Sequence, residues 1–390
     1  MAANPQLHGF APAFTSWDDP PPGAGPWPTI GRQFLRSAIL LLAAATALAT
    51  MPAASSQEFA VGLAAPVGGA TAILGRQMID GARAAGRDTG TAIVVADDGC
   101  SAASGEAAAR RFVEQGVRIA VGFLCTETIE AALPILTDAD IPTITTAVRT
   151  DSLTDRRERT GWQVFRLGPR ADAESAAIGR LLVERWREEL FAIVDDGTIY
   201  GRELAESFRL EAELAGLEPA FVDTYRPQMD NQVGLMGRLA RSGATHVLVG
   251  GDREDIAVMA RDAAGLDYDV VLAGGESLRA APGDVALADG VLMVAPPEWR
   301  DLATPAALQA LDDAGIAPVG YVLPAYAAVE VASVALAAAA DTSGAPLADI
   351  LAGRDFPTLV GAIGFDAKGD LEDFGYRVYR HEDGRFVAVE

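Results

Sequence analysis

The regular alternation of short β-rich runs with helix-period segments constrains the fold of this chain more than any other feature. From Glu58 onward, runs rich in valine, isoleucine and small apolar residues recur between segments whose apolar residues repeat every three to four positions. In the first such segment Leu74, Met78 and Ala82 fall on one face of a helix. Strand, helix and strand in succession form the unit of a parallel sheet that is covered by helices.

This alternation occurs in two series, which predict two doubly wound α/β lobes. The predicted strands of the two series are residues 59–63, 91–96, 119–122 and 142–145, then 191–195, 220–225, 246–249 and 270–272. After a further strand at 290–294, the helix predicted at 321–340 is too apolar to stand alone, and we expect it to pack on the first lobe. The chain would then cross between the lobes more than once and form a hinge.

These crossings predict the domain boundaries. Lobe 1 is expected to contain residues 58–169 and 296–363, and lobe 2 to contain residues 170–295 and 364–390. In open α/β sheets, ligands bind beyond the carboxyl ends of the strands. The residues that directly follow each strand are therefore the candidates for a binding site.

Residues 1–57 are predicted to form an N-terminal extension and a signal peptide. Arg32 and Arg36 precede an apolar run at 37–51, and small residues follow it. A basic flank, a short apolar core and small residues are typical of a secretory signal. The run of about 15 residues is shorter than the roughly 20 that a spanning helix needs, although retention as an anchor is the alternative. We expect cleavage between Ala54 and Gln57 and a periplasmic product.

Charge and composition exclude several classes of function. Acidic residues number 54 against 31 basic ones, which gives a formal net charge of −23. Such a chain repels phosphate backbones and anionic lipids, so we expect no nucleic-acid partner. Three histidines in 390 residues offer little material for general-base or metal chemistry, and we expect neither a metal nor a cofactor.

The motifs of common α/β enzymes are missing. Dinucleotide binding would need Gly-x-Gly-x-x-Gly after the first strand, whereas the chain has Gly68 and Gly69 and then Gly75. The Gly-x-Ser-x-Gly nucleophile elbow is missing as well. We therefore expect a binding protein and not an enzyme.

The chain has two cysteines, Cys100 and Cys125, and both lie beyond the predicted signal peptide. They would enter an oxidising compartment, where a single pair favours a disulfide. Two free buried thiols are the alternative.

Several segments resemble one family of receptors, in the same order. Residues 97–100 and 116–126, which include both cysteines, are similar to segments of the leucine/isoleucine/valine-binding proteins, the type I periplasmic substrate-binding proteins of ABC transporters. Further similar segments are 152–154, 200–201, 274–276, 326–329 and 364–371. The resemblance covers residues 58–390. It implies two hinged lobes, a Cys100–Cys125 disulfide and a ligand bound between the lobes.

In the first lobe, the resemblance assigns the ligand carboxylate to the hydroxyl after the second cysteine, here Thr126. Because Thr126 follows a strand and opens a helix, unpaired N–H groups and the helix dipole also favour an anion there; a plain N-cap is the alternative. After the next strand the resemblance implies a carbonyl for a ligand ammonium, here that of Val148, and a hydroxyl, which Arg149 replaces. Arg149 could grip a carboxylate through two hydrogen bonds, or turn to solvent or to Asp151.

In the second lobe, the resemblance implies that Tyr200 closes over the ligand and that Glu276 pairs with its ammonium. Ordinary lobe packing is the alternative for Tyr200, and a helix-start or loop charge is the alternative for Glu276. Where relatives carry tyrosines beside the side-chain pocket, this chain has Leu74 and Asp252, and Tyr321 roughly keeps a third aromatic position. These differences predict a pocket of altered shape.

The function that the resemblance implies is that of a monomeric periplasmic receptor for an ABC importer. Its ligand would be a small, branched-chain-like amino acid or a related carboxylate, delivered to an inner-membrane permease. Contacts from both lobes would stabilise the closed form and so shift the hinge equilibrium. A ligand-sensing module for a receptor or kinase, with an aromatic acid, an amide or a urea-like ligand, is the alternative.

We predict that the exported protein begins between residues 54 and 58. N-terminal sequencing of protein recovered from the periplasm checks this, with protein retained in the cytoplasm as the control. An exported form that still carries residues 37–51 would show instead that the apolar segment is kept as an anchor.

Overall fold

The computed structural model describes residues 60–342, 344–372 and 374–389, and the predicted signal peptide lies outside them. The first sheet has five parallel strands in the order β2-β1-β3-β4-β5. Every residue of β3 and β4 is buried, as in central strands covered on both faces. The strands are β1 (Ala60–Ala65), β2 (Ala92–Asp97), β3 (Ile119–Gly122), β4 (Thr143–Thr145) and β5 (Val164–Arg166).

The helices of the first lobe bury the faces that the apolar periodicity predicts. Met78 and Ala82 of α1 are fully buried, and α1 ends at Gly90, whose φ of 70° is the left-handed conformation that favours glycine. These helices are α1 (Ala72–Thr89), α2 (Ala102–Glu114), α3 (Thr126–Asp138) and the short α4 (Ser152–Asp155) and α5 (Arg157–Thr160).

The second sheet has seven strands in the order β14-β13-β10-β9-β8-β6-β7. Strands β6 to β10 pair in parallel, whereas β13 is antiparallel to both of its neighbours. The strands are β6 (Phe191–Asp195), β7 (Phe221–Thr224), β8 (His246–Gly250), β9 (Val271–Gly274), β10 (Leu292–Ala295), β13 (Arg377–Glu382) and β14 (Arg385–Ala388). Its helices are α6 (Ala173–Arg185), α7 (Ile199–Leu214), α8 (Val233–Ser242), α9 (Arg253–Gly265) and a 3-10 turn (Glu276–Arg279).

The long apolar helix α12 (Val322–Asp341) packs against α1 in the core of the first lobe, as expected. A side chain at Gly81 could not be accommodated, since its Cβ would lie 2.0 Å from the Val322 carbonyl oxygen. By length and apolarity α12 could cross a membrane, but 72% of its apolar window is buried within the protein. The elements around it are α10 (Trp299–Leu302), α11 (Pro305–Asp313), α13 (Leu347–Ala352) and the two-stranded sheet of β11 (Phe356–Thr358) and β12 (Gly361–Ile363).

The predicted two-lobe α/β fold is confirmed, and all nine predicted strands are present within two residues of their expected bounds. Three strands of the large sheets, β5, β13 and β14, were missed. Each is short or rich in arginine, and β5 has only three residues, so period-two alternation gives little signal.

The predicted disulfide is also confirmed. Cys100 and Cys125 are bonded, with their Cα atoms 5.3 Å apart. The bond ties the loop after β2 to the residue just before α3, and so restrains the end of the first sheet where Thr126 lies.

A buried ion-pair cluster lies where the chain crosses between the sheets. Arg166, 1% exposed, ends β5 and donates from Nε to Asp370 Oδ1 at 2.8 Å. Arg170, in the segment leading to the second sheet, donates to Asp370 Oδ2 at 2.9 Å, and the Thr154 hydroxyl donates to the same oxygen. One carboxylate therefore joins β5, α4 and two of the crossing segments.

The contacts of the last crossing bear on the lobe boundaries, which stay a prediction. Phe365 belongs to the core of the first lobe and meets Phe165 edge to face, with ring centroids 5.3 Å apart. The backbones of Asp370 and Arg166 also form an isolated parallel β-bridge. These contacts hold Phe365 and Asp370 beside the first sheet, and the boundary at residue 364 stays a prediction.

We predict that Asp370→Ala lowers the free energy of unfolding by about 3–5 kcal/mol, because it leaves a buried guanidinium without its partner. Denaturant titration of the wild type and the variant measures this. Glu213→Ala, which removes an ion pair to Arg209 on the surface, is the matched control and should leave stability unchanged. If the two substitutions lowered the free energy of unfolding equally, the stabilising role of the buried Asp370 ion pairs would be contradicted.

Candidate functional site

Two side chains, one just beyond a strand of each sheet, contact each other directly. Arg149, beyond β4 of the first sheet, donates from Nη1 to Glu276 Oε1, beyond β9 of the second sheet, at 2.7 Å. A cavity of about 430 Å³, a size that suits a small molecule, borders this pair and is lined from both lobes. Of the seven predicted ligand residues, Arg149, Glu276 and Tyr321 line this cavity.

Arg149 does not take the position beside Asp151 that the sequence left open as an alternative. Its side chain is half-buried, and its guanidinium pairs with Glu276 and not with Asp151. From Nη2 it also donates to the Tyr376 hydroxyl at 3.0 Å and to the Arg170 carbonyl at 3.3 Å. The alternative of a pair with Asp151 is wrong, because carboxylate, phenol and carbonyl acceptors of other residues converge on the guanidinium.

Glu174 is a residue of the site that sequence reasoning missed. It is 5% exposed, and its Oε1 accepts from the Tyr200 hydroxyl at 2.8 Å and from the Glu276 N–H at 2.6 Å. Burial, and then the negative charge of Glu276, raise the pKa of Glu174 to about 7. The signal was present in the sequence, since Glu174 lies four and eight residues before Ile178 and Leu182, on the buried face of α6.

Gly275 allows this packing. A Cβ on Gly275 would lie 2.0 Å from Glu174 Oε1 and 2.5 Å from the Tyr200 hydroxyl. The glycine before Glu276 is therefore needed for the close approach of Glu174 and Tyr200 to the backbone.

Thr126 is the first helical residue of α3, and Cys125 is the N-cap. The N-cap alternative for Thr126 is therefore wrong. Its hydroxyl is 2.9 Å from the hydroxyl of Thr150, just beyond Arg149 in the chain. Thr126 does not line the cavity beside Arg149, but the start of a 13-residue helix favours an anion there.

The other predicted residues lie in different settings. The Val148 side chain is buried in the core, which leaves only its backbone for a ligand. Asp252 is exposed and is the N-cap of α9, where it accepts from the Asp255 N–H at 3.0 Å. Tyr321 precedes α12 and is half-buried against the cavity.

A sequence profile of the periplasmic binding protein family matches residues 58–385. The chain belongs to this family. A binding protein for leucine, isoleucine, valine, threonine and alanine from Pseudomonas aeruginosa is 28% identical over 76% of this chain and 80% of its own length. The family contains substrate-binding proteins of ABC transporters and not enzymes, and its members bind small molecules.

Solved structures share the fold of this periplasmic binding protein. An ABC transporter protein from Rhodospirillum rubrum has a TM-score of 0.71 at 18% identity, over 85% of this chain and 99% of that one. A solute-binding protein from R. palustris in complex with benzoate has a TM-score of 0.57 at 18% identity, over 85% and 95% of the two chains. Among the described residues of this binding protein, no group of three or more histidine, cysteine, aspartate or glutamate side chains could hold a metal.

We predict that Glu174→Gln stabilises this binding protein increasingly as the pH rises. The pKa of Glu174 is about 7 in the folded protein, against 4.5 for an ordinary glutamate. Between these two pH values the folded state keeps a proton that the unfolded state has lost, so wild-type stability decreases as the pH rises from 4.5 to about 7. The stability gap between variant and wild type should widen up to about pH 7 and then level off, as measured by denaturant titration.

Glu330→Gln is the matched control for this titration. Burial also raises the pKa of Glu330 to about 7, but its Oε2 accepts from the Leu359 N–H in the first lobe, away from the cavity. The Glu330→Gln variant should show the same pH dependence of stability as Glu174→Gln, and its ligand affinity should equal that of the wild type. A gap for Glu174→Gln that does not change with pH would contradict the proton assignment.

Proposed function

We propose that this protein is the periplasmic receptor of an ABC importer, and that it binds a small carboxylate between its lobes and delivers it to a membrane permease. The single observation that supports this best is the cavity bordered by Arg149 from one lobe and Glu276 from the other. A ligand that contacts both lobes stabilises the closed form relative to the open one. We propose that the receptor acts as a monomer.

The relatives support a carboxylate as the ligand. The P. aeruginosa relative is named for binding five amino acids, and the R. palustris structure holds benzoate. The feature shared by these ligands is the carboxyl group, whereas their bodies differ in size and shape. We therefore propose a small amino acid or a related carboxylate as the ligand class.

The proposed roles of the site residues differ in their support. Thr126 is supported by its place at the start of α3, and Arg149, Glu276 and Tyr321 by the cavity that they line. We keep the Val148 backbone and Tyr200 as parts of the site, Tyr200 through its bond to Glu174 beside Glu276. Asp252 has the least support, since its bond to the Asp255 N–H already gives it a helix-capping role.

We predict that a screen of amino acids and organic acids finds a ligand that stabilises the protein and closes it. At 100 times its dissociation constant, such a ligand adds about 2.7 kcal/mol to the free energy of unfolding. Thermal denaturation measures this gain, and small-angle scattering should show a smaller radius of gyration in the complex. A screen without any stabilising carboxylate, together with an unchanged radius, would count against the proposed function.

Thr126→Val should weaken ligand binding about tenfold or more, because it removes the hydroxyl that we propose bonds to the ligand carboxylate. Calorimetry on the wild type and the variant measures the change. Thr304→Val is the matched control: its hydroxyl accepts from the Ala307 N–H as the N-cap of α11, so it should cost about 1 kcal/mol of stability and leave affinity unchanged. Wild-type affinity in Thr126→Val would remove Thr126 from the site.

A further inference from the structure

We infer that this protein accepts a carboxylate without an ammonium group next to the carboxyl carbon, because the Arg149 guanidinium already occupies the place beside Glu276 where that ammonium would bind. The inference rests on the proposed function and narrows its ligand class. The key residue is Arg149, which stands where the resemblance implies a hydroxyl residue. Its Nη1 lies 2.7 Å from Glu276 Oε1.

The guanidinium is held from three separate segments of the chain. Besides Glu276, it donates to the Tyr376 hydroxyl at 3.0 Å and to the Arg170 carbonyl at 3.3 Å. The Tyr376 hydroxyl lies 3.4 Å from Glu276 Oε1 and bonds to it in turn. Arg149 is thus part of a closed set of hydrogen bonds with Glu276 and Tyr376, and not a side chain free to leave the site.

An amino acid would have to break this set or place a second cation beside it. Its ammonium could reach Glu276 Oε1 only by displacing the guanidinium, and at Oε2 it would lie close to the guanidinium that stays on Oε1. In either position the two cations would repel each other at short range. The displaced guanidinium would also lose its charged partner while half-buried. A carboxylate without the ammonium leaves the Arg149–Glu276 pair intact.

The charges around the cavity also favour an anion. Two glutamates and three arginines line it: Glu276, Glu298, Arg149, Arg279 and Arg300. Arg149 pairs with Glu276, and Arg279 lies 4.0 Å from Glu298. Arg300 has no ion-pair partner among the described residues, so the lining carries one excess positive charge on a chain whose net charge is −23.

The remaining lining favours an apolar or aromatic body for the ligand. Trp299 and Phe374 meet edge to face, with ring centroids 5.1 Å apart, and Tyr321, Leu323 and Val319 complete the apolar wall. Such walls suit a hydrocarbon or ring attached to a single carboxylate. The ligand class is therefore an apolar or aromatic monocarboxylic acid.

Matched pairs of probes test the inference. Leucine is compared with 4-methylpentanoate and phenylalanine with 3-phenylpropanoate, because the members of each pair share a carbon skeleton and differ only in the ammonium group. Calorimetry on the full exported chain measures each affinity. In at least one pair, the acid without the ammonium should bind about tenfold or more tightly than its amino acid.

Two variants separate the role of Arg149 from a general loss of structure. Arg149→Met leaves Glu276 free for an ammonium and should shift the preference towards the amino acid of each pair. Arg149→Met combined with Glu276→Gln removes both charges, so that no unpaired charge stays buried, and should show no such shift. Thermal denaturation of both variants verifies that they fold.

The outcomes distinguish the inference from the function on which it rests. Tighter binding of the amino acids by the wild type, or an unaltered preference in a folded Arg149→Met variant, would overturn the inference and leave the proposed function standing. Failure of all four probes and of every carboxylate in the wider screen would overturn both.

Discussion

The Asp370 carboxylate and its two arginine partners form the interaction on which the arrangement of the two lobes depends. Arg166 reaches it from the end of β5, and Arg170 from the segment that leads to the second sheet. A carboxylate that is 4% exposed needs such partners, because an unpaired buried charge is strongly destabilising. The need to satisfy one charge thus brings two crossing segments to a fixed place at the edge of the first sheet.

The proposed binding site shares residues with this cluster. The backbone carbonyl of Arg170 accepts from Arg149, so the residue that anchors the crossing also helps to orient the guanidinium of the site. Tyr376, in the last crossing segment, completes the contacts of Arg149. Glu174 and Tyr200 lie behind Glu276. They occupy the space that is left open because Gly275 has no side chain. Hinge and site are therefore parts of one hydrogen-bonded network.

Most strands and the two-lobe fold could be predicted from the sequence because the information for them is local. The apolar spacing of α1, the β-rich runs and the cysteine pair each lie within short stretches of chain. The partner of Arg149 could not be predicted in this way, since Glu276 lies 127 residues away and the pairing depends on how the crossing segments meet. Glu174 could have been noticed, because a carboxylate on the buried face of α6 breaks the apolar pattern.

The same pair that shapes specificity also bears on the closing motion. A ligand shifts a hinge equilibrium only by the difference between its affinities for the two forms. Because the Arg149–Glu276 ion pair itself joins the two sides of the cavity, part of the attraction that draws the lobes together comes from the protein. A ligand carboxylate would add to this contact, whereas an ammonium would break it or place a second cation beside it. In the proposed function, Arg149 therefore influences both which molecule is bound and how much of the closure that molecule must supply.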